Sequence, residues 1–187
     1  MRIVAGEHGG RSLFSPRTLR VRPTSDRVRE NIFNILLTRA PETLENTFVL
    51  DLFCGVGTLG LEAISRGSQE ATFVDDSYQS LQYLRKNTEF CRSQVKIIPA
   101  KVDRALEALA KKNQQFDLIF LDPPYEHEHV VKTLQKLDTL SILRGKAMIV
   151  VQHSKREPVG DSWKSFSVCD ARTYGDTAIT FLRGFDV

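Results

Sequence analysis

The chain reads as an α/β domain: a mostly parallel, seven-stranded sheet with helices on both faces, an antiparallel hairpin at the C-terminus and a short arm at the N-terminus. Three observations predict it. Short apolar runs alternate with segments of helical period between Phe48 and Val151, the pattern of strands joined by crossover helices. The first run leads into a glycine-rich turn, Asp51-Leu-Phe-Cys-Gly55-Val-Gly57-Thr-Leu-Gly60. The last two runs follow one another with no helix-length segment between them, which forces antiparallel pairing.

Residues 1–22 hold Gly6, Gly9, Gly10 and Pro16 among scattered arginines and read as a hairpin or extended arm. The remaining 23–187 form one domain, long enough to bury about 70% of its unfolded surface without disulfide or metal. Pro23 punctuates the chain. Thr24 and Ser25 are candidate caps, and Val28, Ile32, Ile35 and Leu36 repeat with helical spacing as far as Arg39. Strands are expected at Phe48–Leu52, Ala71–Asp75, Val95–Ile98, Asp117–Leu121, Ala147–Val151, Trp163–Cys169 and Thr177–Leu182. Helices are expected at Leu59–Arg66, around Leu81 to Leu84, at Val102–Lys112 and at Val130–Leu140. The last two strands meet around Tyr174-Gly175.

Composition narrows the function. Apolar stretches are far shorter than the ~20 residues that span a bilayer, and Met1 to Leu13 lack the apolar core of a secretory signal. Cys54, Cys91 and Cys169 are odd in number and widely spaced, so neither a disulfide framework nor a zinc site is expected, and a reducing cytoplasm is. His127-Glu-His129 lacks the spacing that puts two imidazoles on one helix face, so no metal is expected there. The net charge of +3 is unevenly spread. Residues 1–30 hold seven Arg against three acids, whereas the remainder holds 19 basic and 20 acidic side chains. Guanidinium forks onto phosphate and stacks on bases, so Arg2, Arg11, Arg17, Arg20, Arg22 and Arg27 are candidate nucleic-acid contacts.

Ligands of parallel sheets bind at the carboxyl ends of the strands, and the motifs fall there. Gly55 and Gly57 let the backbone approach a ligand at a helix N-terminus. Asp51, just ahead of them with Phe53, would repel a pyrophosphate and suit a cationic amine, which favours S-adenosylmethionine over a nicotinamide dinucleotide. Asp75, which ends the second expected strand, is placed to accept from ribose hydroxyls. Asp122-Pro-Pro-Tyr125 follows the fourth strand. Asp122 and the Pro123 carbonyl can accept both N–H bonds of an exocyclic amine and turn its lone pair toward a methyl donor. Tyr125 offers a face for stacking a base, worth ~1–3 kcal/mol.

Together these motifs resemble class I S-adenosylmethionine-dependent methyltransferases acting on exocyclic amines, with a Rossmann-like fold. Further stretches, Arg2-Ile-Val-Ala-Gly6, Gly10-Arg11-x-Leu13, Arg22-Pro-Thr-Ser-Asp-Arg-Val-Arg-Glu-Asn-Ile-Phe-Asn34, Gly60 to Gly67 and Tyr174-Gly175, resemble the RsmD-type family. That resemblance implies methylation of guanine-966 N2 in bacterial 16S rRNA, in the small ribosomal subunit, by a cytoplasmic enzyme taken as a monomer without metal or membrane. It implies that Asp51, Gly55 and Gly57 hold the methionine part of the donor and Asp75 its ribose. Asp122, Pro123 and Tyr125 would handle the guanine, and the stretch of Arg22, Thr24 and Arg27 would lie near donor and RNA. Two departures stand out. Cys54 replaces Ala or Ser, and Lys101-Val102 stands where many relatives place Asp-Ala, with Asp103 two positions late, leaving the adenine to the Val102 N–H or to Asp103. An adenine-N6 methyltransferase and a non-catalytic RNA-binding relative are the alternatives.

Overall fold

The computed structural model describes residues 1–16, 25–124, 129–157, 159–160 and 163–185. Ser25 opens α1 (Asp26–Arg39), its hydroxyl accepting the Val28 N–H at 3.3 Å, with Asp26 in the first turn. A short 3₁₀ turn at Pro41–Thr43 leads into β1 (Phe48–Leu52), α2 (Thr58–Ser65), β2 (Glu70–Asp75) and α3 (Tyr78–Asn87). After a second 3₁₀ segment, Glu89–Gln94, come β3 (Val95–Pro99), α4 (Val102–Lys111), β4 (Phe116–Leu121) and α5 (His129–Thr139). The chain closes with β5 (Leu143–Ser154), β6 (Phe166–Tyr174) and β7 (Thr177–Gly184).

The sheet order is β3-β2-β1-β4-β5-β7-β6. The first five strands are parallel, and β7 lies antiparallel between β5 and β6. Strand order reverses between β1 and β4, which opens a crevice at their carboxyl ends. One face packs under α1, α2 and α3, with Phe33, Leu36, Leu61, Leu84, Phe73 and Phe120 in a single buried cluster. The other packs under α4 and α5, where Leu106, Leu109, Leu134 and Leu137 meet Leu50, Ile119 and Ile149.

Two strands differ from expectation. β5 is 12 residues long because Leu143 already pairs with Phe116 across a bulge and Ser154 still pairs with Thr177. β6 starts at Phe166 rather than Trp163, since Trp163 turns to pack on Phe166 at 5.4 Å and donates to the Gly160 carbonyl.

The N-terminal segment 1–16 is bound into the core. Arg2 and Ser12 form an antiparallel bridge, and Ile3 and Leu13 are buried beside Ile32 and Phe33. The turn of this hairpin caps the end of α2. Glu7 N–H donates to the Ser65 carbonyl at 2.7 Å, and Ser65 Oγ donates to the Ala5 carbonyl. Gly6, at φ +83°, makes that approach possible, since a Cβ there would collide with the Ser65 carbonyl.

Glu62, fully buried on α2, accepts from Val4 N at 2.6 Å, Ala5 N at 3.0 Å and Arg66 Nε at 2.8 Å. Arg29 Nε approaches the same carboxylate at 3.6 Å. Arg29 is therefore not part of a basic surface, as its place in the arginine-rich stretch 1–30 implied. It is wholly buried and also donates to the Arg2 carbonyl and to Asp26.

Candidate active site

β1 turns sharply into α2 through three residues at positive φ: Phe53 at 56°, Gly55 at 55° and Gly57 at 87°. Phe53 has a Cβ and carries a strain of roughly 1–3 kcal/mol in this region, held in place by packing against His129 at the start of α5, ring centroids 5.5 Å apart. Gly57 needs its glycine for packing as well, because a Cβ would strike Leu84. Gly55 is different: a Cβ there would meet nothing of the protein within 4 Å. Its left-handed backbone faces open space at the amino end of α2, the position where a ligand can lie against main chain.

Period-two alternation sets the carboxylates. Asp51 pairs in register with Phe73 on β2 and Phe120 on β4. Asp75 and Asp122 each stand two residues further on, so all three side chains fall on the α1–α3 face, at the carboxyl ends of three adjacent strands. Gln152 is level with Asp122 on the next strand, two beyond Val150, and is buried. Nothing in the sequence singled it out.

Each carboxylate is held differently. Asp51 is 1% exposed, and one of its oxygens accepts the Gly60 N–H at 2.9 Å. Burial, then the nearby charges of Asp122 and Asp75, push its pKa up to about 8 against the pull of that hydrogen bond. Asp75 accepts from Gly55 N and Ser77 N, both at 2.8 Å, and burial raises its pKa. Asp122 lies in the half-buried loop after β4, next to the buried Pro123. Desolvation pushes its pKa up to about 7, and among the described residues nothing donates a hydrogen bond to its carboxylate. Cys54 sits in the same surroundings, and burial with the two acids raises its thiol well above its usual value, so it stays protonated.

Three acids crowded at one crevice, two of them with pKa values near neutrality, suit a cationic ligand. The buried Asp51 suits the positive charge of S-adenosylmethionine, and the open cradle at Gly55, at the amino end of α2, suits its carboxylate. Among the described residues no group of three or more His, Cys, Asp or Glu is arranged to hold a metal ion, and no helix is long and apolar enough to cross a membrane.

The other expected site residues are less uniformly placed. Val102 is buried at the first position of α4, whereas Asp103 is exposed and lies 3.9 Å from Lys136 of α5. Arg2 keeps most of its side chain exposed while pairing with Asp26 at 3.3 Å. Arg11 stacks over Phe90, 4.3 Å from its ring centroid, and Arg27 is exposed. Arg17, Arg20, Arg22 and Tyr125 lie outside the described residues. Sequence reasoning missed Asn87, buried at the end of α3. It donates to the Val56 and Phe14 carbonyls at 3.0 Å and accepts from Phe14 N at 2.7 Å, tying the glycine turn to the N-terminal hairpin.

The sequence model of a family described as Conserved hypothetical protein 95 matches residues 1–183. Ribosomal RNA small subunit methyltransferase D of Escherichia coli is 36% identical over 154 residues, spanning 81% of this chain and 74% of its own. The candidate rRNA methyltransferase YlbH of Bacillus subtilis is 31% identical over 185 residues, 98% of each chain. Among solved structures, Escherichia coli YhhF superposes with a TM-score of 0.85 at 29% identity, covering 100% of this chain and 99% of its own. With its sheet order and the three acids at the crevice, the chain belongs to the Conserved hypothetical protein 95 family, that of small-subunit rRNA methyltransferase D, and has the Rossmann-like class I methyltransferase fold.

Proposed function

We propose that this protein transfers a methyl group from S-adenosylmethionine to the exocyclic N2 of a guanine, guanine-966, in bacterial 16S rRNA. The observation that carries the reading is the convergence of Asp51, Asp75 and Asp122 on one face of the sheet at the point of strand reversal. Membership of the small-subunit rRNA methyltransferase D family supports the substrate. The substrate form is the small ribosomal subunit, met in the cytoplasm by a monomer that needs no metal.

S-adenosylmethionine, when bound, supplies an electrophilic methyl on a sulfonium. The chain's own residues do the rest. Asp51 compensates the donor's positive charge, losing its proton as it does so, and Asp75 accepts from the ribose hydroxyls while bracing Gly55. The α4 amino end, at Val102 or Asp103, lies along the adenine. Asp122 and the Pro123 carbonyl accept the two amine N–H bonds, which localises the nitrogen lone pair. With a pKa near 7, Asp122 holds the developing positive charge and is the first group able to take the departing proton. Tyr125 stacks on the guanine, and Arg2, Arg11, Arg17, Arg20, Arg22 and Arg27 contact RNA phosphates.

The test is transfer of radiolabelled methyl to unmodified small subunits, naked 16S rRNA and duplex DNA, offered separately. Label on ribosomal substrate is expected. Label on DNA alone would replace this reading with an adenine-N6 methyltransferase, and no transfer to any of them would leave the RNA-binding alternative.

A further inference from the structure

Away from the three acids, α3 and the edge strand β3 enclose an open groove of about 710 Å³. Tyr78, Gln82, Arg85 and Lys86 line it from one face of α3, at spacings of four, three and one residues. Its floor is apolar, with Val95 and Ile97 of β3, and Arg92 adds a third cation from the segment between the two elements. Among the described residues Glu89 is the one acid lining it, engaged with Arg92 at 3.5 Å. Arg85 has no ion-pair partner among the described residues. Tyr78 is 73% exposed and stands three residues beyond Asp75, so the groove begins at the rim of the donor site. At the other end, Arg11 lies over Phe90, two residues from Arg92, which joins the groove to the N-terminal hairpin.

Arg85 and Lys86 in the last turn of α3 also suit the helix dipole. That role uses neither Arg92 nor an exposed aromatic at the opposite end. A cationic rim tracking an apolar floor, with an aromatic ring offered to solvent, is the chemistry that takes single-stranded nucleic acid: phosphates along the rim and a base stacked on the ring. We propose that this groove binds an unpaired segment of the RNA substrate next to the target base, Arg85, Lys86 and Arg92 contacting phosphates and Tyr78 stacking a base. The proposal rests on the rRNA reading of the active site and adds an RNA contact outside the arginine-rich arm.

The test compares the full-length wild type with R85A/K86A/R92A, R85K/K86R/R92K and Y78A. The readouts are binding to a fluorescein-labelled single-stranded RNA carrying the target guanine, methyl transfer to small subunits, and melting temperature. Each lost phosphate contact removes about 0.7 from the slope of log affinity against log salt. The triple alanine variant is expected to lose about 2 from that slope and to raise KM for RNA at least about tenfold, with KM for the donor unchanged. The charge-preserving variant keeps the slope. Y78A weakens binding about fivefold or more with the slope intact. An unchanged slope in a folded triple variant overturns the proposal. So does loss of transfer to subunits with undiminished binding to naked RNA, which assigns the groove to a protein. Absence of RNA transfer by the wild type overturns the rRNA reading first; wild-type transfer with an indifferent triple variant overturns the groove alone.

Discussion

Asp75 Oδ2 accepts the Gly55 N–H at 2.8 Å, so the end of β2 directly positions the glycine turn after β1. Its Oδ1 accepts from Ser77 at the same distance and starts the turn into α3. One side chain thus braces the glycine turn, and on the proposed reading its remaining lone pairs meet a ribose. Replacing it should cost both roles. Asp75→Ala is expected to weaken S-adenosylmethionine binding about 10–100-fold, the range for losing hydrogen bonds to a charged group. Isothermal titration with donor checks this, and affinity within twofold of wild type would remove Asp75 from the site.

The contact proposed between Asp51 and the donor predicts that donor binding depends on pH. Its pKa of about 8 in the free protein means that it is largely protonated at pH 7, and a neighbouring cation lowers that value. Binding therefore releases a proton, and affinity should climb as pH rises toward 8 and level off above it. Titration in buffers of different ionisation enthalpy measures the release directly. In Asp51→Asn the pH dependence should flatten and affinity should fall.

The same residue affects the stability of the free protein in the opposite sense. A folded-state pKa above the unfolded value of ~3.9 means that folding binds a proton. Its contribution is complete below about pH 4 and is lost as pH rises through about 8, with Asp122 and Asp75 shifted the same way. Asp51→Asn should gain melting temperature over wild type more at pH 8.5 than at pH 5. A difference independent of pH would contradict the raised pKa.

The role proposed for Asp122 predicts an effect on turnover. Asp122→Ala should lower kcat by about 10²–10³ or more, as loss of a group facing developing charge does, with donor affinity largely intact. Because the carboxyl titrates near 7 in the free enzyme, kcat/KM for RNA should rise with pH and level off above about 8. Asp122→Asn keeps a carbonyl acceptor without the charge and should lose that acidic limb along with much of the rate. Single-turnover transfer across pH 5.5–9 distinguishes the outcomes.

The buried Glu62 carries the N-terminal hairpin. Removing it takes one of its two acidic partners among the described residues from Arg29, which is 0% exposed, and frees the backbone N–H groups of Val4 and Ala5. Glu62→Ala should destabilise the fold by about 3–5 kcal/mol, read from urea unfolding. A loss below about 1 kcal/mol would mean that the hairpin docks through Ile3 and Leu13 alone.

What the sequence revealed and what it hid follow a physical divide. Asp51, Gly55, Asp75 and Asp122 were legible because each ends a strand or opens a turn, where local pattern fixes position. Arg29, Glu62 and Asn87 were not, since their partners come from distant segments of the chain and nothing local marks them as buried. Charge summed along the chain placed the positive excess within the stretch 1–30. The fold withdraws Arg29 from that surface and gathers Arg85, Lys86 and Arg92 at a second one, which a sum diluted by acids elsewhere conceals. Asp103 at the start of α4 stays exposed, with Lys136 of α5 3.9 Å away, a neighbour from another helix that nothing local in the sequence marks.

The most direct measurement of the central claim is nucleoside mass spectrometry of rRNA from unmodified small subunits treated with the enzyme and S-adenosylmethionine. N2-methylguanosine at a single position, absent with Asp122→Ala, is the predicted product. N6-methyladenosine, or no methylated nucleoside at all, would contradict it.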